Sequence, residues 1–263
     1  MFEGRIIRLS EIASTNDYAG ELLRNESPSE GTLITTGFQT SGRGQAGNTW
    51  ESTANKNLLV TAILYPAFLN PEKQFVLTQI VSLSVCTTLD DYNHPHKAVI
   101  KWPNDIYVNN RKIAGILIKN NLAGNRIMNT IAGVGLNVNQ DVFSSNAPLA
   151  VSLRQISGKE TDLQEILSKW HENLFKWYSL LKSGGFEAIE EAYLNRLYLL
   201  SIPSRFLYKE MEIEATITGT GEYGHLLLKT SDGNHLMCDL KEIVFIPPAM
   251  EEKKSKPAVR RFP

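Results

Sequence analysis

The stretch Lys101–Ile118, KWPNDIYVNNRKIAGILI, decides the fold. With its flanks it breaks into three short runs rich in β-branched and other bulky apolar residues, at Ala98–Trp102, Ile106–Val108 and Ile113–Lys119. Each has the length and composition of a β-strand. Asn109-Asn110 separates the last two, and asparagine tolerates the left-handed backbone of a tight hairpin turn. Lys112 and Gly115 fall just inside the third run. A lysine there projects from a rigid strand, which suits a charge that must be held in place. Taken alone, the stretch favours blander readings, with Asn104-Asp105 as a turn and Lys112 as a solvated hairpin lysine.

Outward from this segment the chain reads as alternating strands and helices. Arg126–Asn137 is a further strand with glycines near its end, and residues 57–65 (NLLVTAILY) are a continuous apolar run of the kind found in buried strands. Between them and the first run, Pro71 to about Asp91 reads as a helix that is apolar on most of its surface. Upstream, residues 32–38 are β-rich and residues 5–9 alternate weakly, while Ser14-Thr15-Asn16 precedes a helical face at Asp17–Arg24 with a capping signature. Downstream, residues 162–182 and 186–200 read as two helices separated by Ser183-Gly184-Gly185.

After Pro203 the pattern changes to short β-type runs at Arg205–Tyr208, Ile213–Thr218, His225–Lys229, His235–Asp239 and Ile243–Ile246, punctuated by glycines. That spacing suits a small barrel. The expected organisation is an α+β domain over residues 1–200, a small all-β domain over 201–248, and a tail at 249–263 with five Lys or Arg against two Glu, expected to be disordered.

The bulk properties narrow the function. Over 263 residues the formal net charge is −1, so no global field draws the chain to nucleic acid or to an anionic membrane, and an anionic ligand must be caught locally. No apolar run reaches the length of a membrane span. The two cysteines, Cys86 and Cys238, sit in apolar stretches outside any CxxC pair and read as buried reduced thiols. With no secretory h-region at the N-terminus, a cytoplasmic location is expected.

Three further segments carry candidate chemistry. Gln39–Trp50 (QTSGRGQAGNTW) is a glycine loop whose backbone can approach a ligand closely and expose successive N–H groups to an anion. Arg43 adds a planar fork for phosphate or carboxylate, and Trp50 a flat face. The loop is not a Walker A motif, because no Lys-Ser or Lys-Thr follows its last glycine. Gly133-Val134-Gly135-Leu136-Asn137 places glycines inside a strand, which marks either a close approach or a bulge. Ser14-Thr15-Asn16 is, by itself, an N-cap.

In this order the segments resemble one family, the biotin–protein ligases. Its members carry Ser-Thr-Asn near the start of the catalytic domain, a GRGR-x-G loop ending in Trp, KWPND, Lys-x-Ala-Gly-Ile-Leu and a Gly-x-Gly-x-Asn strand. Here these stand as STN at 14–16, GRGQAGNTW at 42–50, KWPND at 101–105, KIAGIL at 112–117 and GVGLN at 133–137. The resemblance spans about residues 10–246. Two departures are visible. Gln45 stands where the family has its second loop arginine. STN begins at residue 14, which leaves no room for the N-terminal helix-turn-helix of the family's repressors, so no specific DNA binding is expected.

The resemblance implies an α+β fold: a class II synthetase-like catalytic domain of a mixed β-sheet with flanking helices, then a small SH3-like β-barrel. It implies an ATP-dependent enzyme that joins biotin's carboxylate to the α-phosphate of ATP, with Mg2+ on the triphosphate, and passes biotin to a lysine of a biotin carboxyl carrier protein. Lys112 and Arg43 are the implied catalytic residues. Lys112 would bridge the biotin carboxylate and the α-phosphate, with Arg43 and backbone N–H groups near Gly42, Gly44 and Gln45 adding donors. Ser14, Thr15, Asn16 and Gln39 would serve the biotin site, and Gly115 would line its apolar wall. Trp50 would pack on adenine and Asn137 would meet the base or ribose. Asn104 and Asp105 are candidates for the triphosphate or its metal. A lipoate–protein ligase is the nearest alternative, and a non-catalytic biotin-sensing module is the alternative from another class.

Overall fold

The computed structural model describes residues 4–92, 96–144 and 149–246. The basic tail expected at 249–263 lies outside the described residues.

Seven strands form the larger sheet: β1 (Ile6–Ile12), β2 (Leu33–Gln39), β3 (Leu58–Leu64), β4 (Val99–Lys101), β5 (Asp105–Val108), β6 (Arg111–Ala123) and β7 (Arg126–Leu136). Their spatial order is β1-β2-β3-β7-β6-β5-β4. Only β1–β2 is parallel, and helix α1 (Thr15–Asn25) makes that crossover. The decisive segment is the antiparallel run β4-β5-β6, and Asn109 and Asn110 turn it with φ of 51° and 59°.

The two faces of the sheet are covered unequally. On one face lies α2 (Phe75–Asp90), buried along nearly its whole length because its residues are apolar or small all round. It packs with α4 (Leu163–Lys182) and α5 (Phe186–Leu194) over Val60, Ala62, Val134 and Leu136. On the other face α1 covers only one end, burying Ala19 and Leu22 against Ile34, Ile63 and Ile131. The rest of that face is open to other occupants.

Two expectations need correcting. The second C-terminal helix ends at Leu194 rather than near residue 200. The chain beyond it pairs with β4, with Ile100 N–H donating to Arg196 O and Tyr198 N–H to Ile100 O, so strand pairing overrides the helical pattern. The C-terminal strands β8 (Pro203–Tyr208), β9 (Met211–Thr220), β10 (Leu226–Thr230), β11 (His235–Cys238) and β12 (Ile243–Phe245) form one antiparallel sheet in the order β11-β10-β9-β8-β12. No ladder joins β11 to β12 among the described residues, so the sheet is open where a closed barrel was expected. A short helix α3 (Leu153–Ser157) was not anticipated, although its capping box, Ser152 with Gln155, stands in the sequence.

The second sheet docks on the first through apolar contacts in one continuous core, with Phe206, Ile217, Leu228 and Ile243 joining Ile100 and Trp102. Trp102 Nε1 donates to Gly224 O at 2.8 Å. Gly224 has φ +86°, and a Cβ there would stand 2.4 Å from the Phe75 ring, so this turn requires glycine on both counts. Both cysteines are free and buried, and burial pushes the Cys86 thiol up to about 12 and that of Cys238 to about 11. No helix among the described residues is long and apolar enough to cross a membrane.

Candidate active site

The open part of the α1 face carries one row of residues across the sheet. Register pairs link Gly135 on β7 to Gly115 on β6, Gly115 to Asp105 on β5, and Asp105 to Lys101 on β4. Cross-strand pairs share a face. The row therefore runs from two glycines, which leave a trough, to an acid and a base. Above it lies a cavity of about 330 Å³, within the range of small-molecule sites.

A β-bulge sets the chemistry of this row. Lys112 and Gly115 are three residues apart, so a regular strand would turn them to opposite faces. The register shifts between Ile106 and Tyr107, so that Tyr107 pairs with Lys112 while Ile106 pairs with Ala114. The extra residue, Ile113, goes into the core, and Lys112 comes round to the face of Gly115 and Asp105. Re-aiming a side chain next to a site is a common use of a bulge. Lys112 Nζ lies 2.6 Å from Asp105 Oδ1 and 5.7 Å from the centre of the Trp50 ring. Its backbone is tied on the bulged side, where Lys112 N–H donates to Leu149 O and Val151 N–H to Lys112 O.

The glycine loop folds over the trough. Trp50 N–H donates to Gly42 O, Gly44 N–H to Asn48 O, and Gln45–Gly47 forms a single 3-10 turn. Trp50 lies on the paired glycines: a Cβ at Gly135 would be 2.4 Å from its ring, and one at Gly115 2.9 Å. Its Nε1 is buried without a hydrogen-bond partner. Arg43 faces the cavity mouth, and its Nε donates to Asp17 Oδ2 at 2.7 Å. Both side chains are substantially exposed.

Ser14 caps α1 and Thr15 opens it, so the helix start delivers STN to the cavity. Gln39 Oε1 accepts from Thr15 N–H at 2.8 Å and from its hydroxyl at 3.1 Å. That fixes the amide so that its NH2 points toward Gly42. Asn16 is locked by bonds to Leu117 O and from the Thr61 hydroxyl, and it sits where a Cβ at Gly133 would clash at 2.2 Å.

Not every sequence-predicted residue reaches the cavity. Asn104 lines it, but its side-chain amide donates to Ile116 O and its backbone carbonyl accepts from Ile116 N–H, so it chiefly pins β6. Asn137 stands behind the wall, donating to Val151 O at 3.2 Å with its Oδ1 unpartnered. Gly42 is buried under Trp50. Asp105 is a single carboxylate already paired with Lys112, and no group of three His, Cys, Asp or Glu among the described residues could hold a metal ion. Asp105 is the carboxylate among the described lining residues, and it would be the side chain to meet a Mg2+ carried in on substrate phosphates.

Sequence reasoning missed other parts of the site. Lys101 stands inside KWPND and Asp17 inside a helical face, and neither pattern singles it out. The cavity's far wall, Leu240, Lys241, Ile243, Val244 and Phe245, comes from the second sheet, and no signal in the sequence announces that approach. Burial pushes the Lys101 ammonium below the ordinary lysine value, opposed by Asp105 and reinforced by Lys112. The assembled site offers an apolar, aromatic trough at one end and cationic side chains at the other. It suits a ligand that is part apolar ring and part anion.

Comparison with known proteins agrees with this geometry. The Biotin/lipoate A/B protein ligase family model matches residues 9–137. The chain is 31% identical over 227 residues to the Bifunctional ligase/repressor BirA of Bacillus spizizenii, covering 84% of this chain and 68% of that one. It is 27% identical over 237 residues to the Biotin--[acetyl-CoA-carboxylase] ligase of Paracoccus denitrificans, covering 87% and 96%. Among solved structures, the biotin protein ligase from Aquifex aeolicus in complex with biotin and ATP superposes with a TM-score of 0.77 at 27% identity, covering 94% of this chain and all (100%) of that one.

Proposed function

The chain belongs to the biotin/lipoate protein ligase family, and from that premise we propose that it activates biotin with ATP and transfers it to a lysine of a biotin carboxyl carrier protein. The observation that carries the reading is the row Gly135–Gly115–Asp105–Lys101 beneath Trp50, with the bulge bringing Lys112 onto it. The indole fills the trough above the paired glycines and turns its other face to the cavity, so the apolar bicycle lies beside it toward Ser14, Thr15 and Gln39, and Lys112 meets the carboxylate at its end.

Adenylation brings two anions together, so it requires fixed positive charge more than covalent help. Lys112 supplies that charge from a strand whose backbone is bonded on its bulged side. Asp105 holds the ammonium on the site face until a ligand anion shares it. Arg43 is held more loosely: exposed ion pairs contribute only about 0–1 kcal/mol, so an incoming phosphate can take the guanidinium from Asp17. Gln39 and Thr15, already aligned, serve the ureido group together with Ser14, and Asn16 keeps the helix start in place. Trp50 presents one face to the ligand, with adenine as its proposed stack, and Asn137 is proposed to act on the base or ribose from behind the wall. Gly44 N–H must leave Asn48 before it can donate to an anion, so loop 40–49 rearranges on binding. Mg2+ would arrive on the triphosphate, since it usually keeps substrate phosphates and water as ligands. The second sheet is proposed as the SH3-like unit; its five short antiparallel strands support that assignment.

The test is biotin-dependent ATP–pyrophosphate exchange, with lipoate as the parallel substrate, followed by transfer of labelled biotin to a carrier domain. Exchange with biotin alone is expected. Lys112→Ala should lower it by about two to three orders of magnitude, the usual cost of one preorganised charge contact. Exchange supported by lipoate and not biotin, or near-normal exchange in Lys112→Ala, would overturn the assignment of substrate or of lysine.

A further inference from the structure

Four cationic side chains line the cavity, Lys101 and Lys112 from the first sheet, Arg43 from the glycine loop and Lys241 from the far wall, and two of them are taken. Lys112 is paired with Asp105 and Arg43 with Asp17. Lys101, on the sheet, has no carboxylate within salt-bridge distance among the described residues, although Asp105 is its register partner. Its ammonium stands over two aromatic rings, 4.8 Å from the centre of Phe245 and 5.6 Å from that of Tyr107. Aromatic faces attract a cation without neutralising it. Phe245 belongs to β12 of the second sheet and Tyr107 to β5 of the first, so both sheets hold this one side chain in place. Partly burying an ammonium with no carboxylate in contact is costly, and an anionic ligand would offset that cost.

Position along the row says which anion. Lys112 sits beside the trough, where the carboxylate and the α-phosphate must meet. Lys101 lies two strands out from Gly115, at about 4.8 Å per strand, in a cavity that Lys241 also lines. The group that extends outward from the α-phosphate is the pyrophosphoryl end of ATP. Resting on the ligase reading above, we propose that Lys101 binds this end of the nucleotide and stabilises the departing pyrophosphate, with Phe245 and Tyr107 as positioning residues. In the step, a biotin carboxylate oxygen attacks the α-phosphorus. The bond from that phosphorus to the bridging oxygen breaks, and its electron pair leaves with pyrophosphate beside Lys101, which remains an ammonium throughout.

The two half-reactions separate this role from a structural one. For Lys101→Gln, KM for ATP and for pyrophosphate in the exchange assay should rise about ten- to hundredfold, the effect of one charge-assisted contact. The loss should be confined to that half: with biotinyl-5'-AMP supplied directly, transfer to the carrier domain should match wild type. Lys101→Arg should recover most of the exchange. Phe245→Leu, which keeps an apolar wall and removes the cation–π contact, should raise the same two KM values a few-fold with little change in kcat. Normal KM values in Lys101→Gln, or equal losses in both half-reactions, would overturn the proposal. Absence of biotin-dependent exchange in the wild type would instead sink the ligase reading itself.

Discussion

Gln45 shows how much a single side chain can be asked to carry. It lines the cavity beside Arg43, at the start of the 3-10 turn. Glutamine offers two N–H donors and an acceptor but no charge, and charge-assisted contacts are roughly twice as strong as neutral ones. On the proposed function, retention of the adenylate is assigned to Arg43, Lys112 and the loop backbone. Gln45→Arg should slow the release of labelled biotinyl adenylate in a chase and reduce stray biotinylation of bystander lysines. Release as fast as wild type would show that position 45 does not clamp the intermediate. Arg43 and Gln45 were both legible in the sequence as parts of a glycine loop. Asp17, which holds Arg43, was not, because nothing in a helical pattern says which loop its first turn will meet.

At the scale of the element, β7 separates two kinds of glycine. Gly133 and Gly135 lie on the same face, and a Cβ at either would collide, but with different neighbours. Asn16, above Gly133, is bonded to two strands and cannot yield. Trp50, above Gly135, rides on a loop and can. Gly133→Ala is thus expected to destabilise the fold by about 1–3 kcal/mol, the range for overpacking a filled site. Gly135→Ala should leave the melting temperature near wild type and weaken biotin binding by displacing the indole. Thermal melts and a biotin titration on both variants check the contrast; equal effects on stability would refute it. Strand glycines were readable as close approach or bulge, and here they mark close approach. The bulge that turns Lys112 lies on β6 at Ile113, opposite Ile106 and Tyr107 of β5, and the register shift of β7 itself falls away from its glycines, opposite Asn121 and Leu122. Periodicity sees alternation but not the register of the neighbour, so it could not tell which face Lys112 would take. The same blindness extended the helix after Phe186 past Leu194, where pairing with β4 prevails.

For the molecule as a whole, the proposed activity is tied to how the two sheets meet. The Trp102–Gly224 hydrogen bond is buried at that junction, and next to it Phe245 touches Lys101. Trp102→Phe removes the donor and strands the Gly224 carbonyl, at a cost of about 1–3 kcal/mol. A lower midpoint in urea is expected, accompanied by a higher KM for ATP as the wall at 240–245 loosens. Loss of stability with no change in KM would show that the junction serves folding alone. The strands of the second sheet were readable from their spacing, and their docking was not, because the contacts that make it are single residues far apart in the chain. That arrangement has a consequence for biosynthesis. A ribosome delivers the floor of the cleft, with both glycines and Lys112, long before it delivers residues 240–245. A nascent chain that stops short of residue 240 would hold the floor without its far wall, so on the proposed function competence to adenylate awaits the emergence and docking of β12.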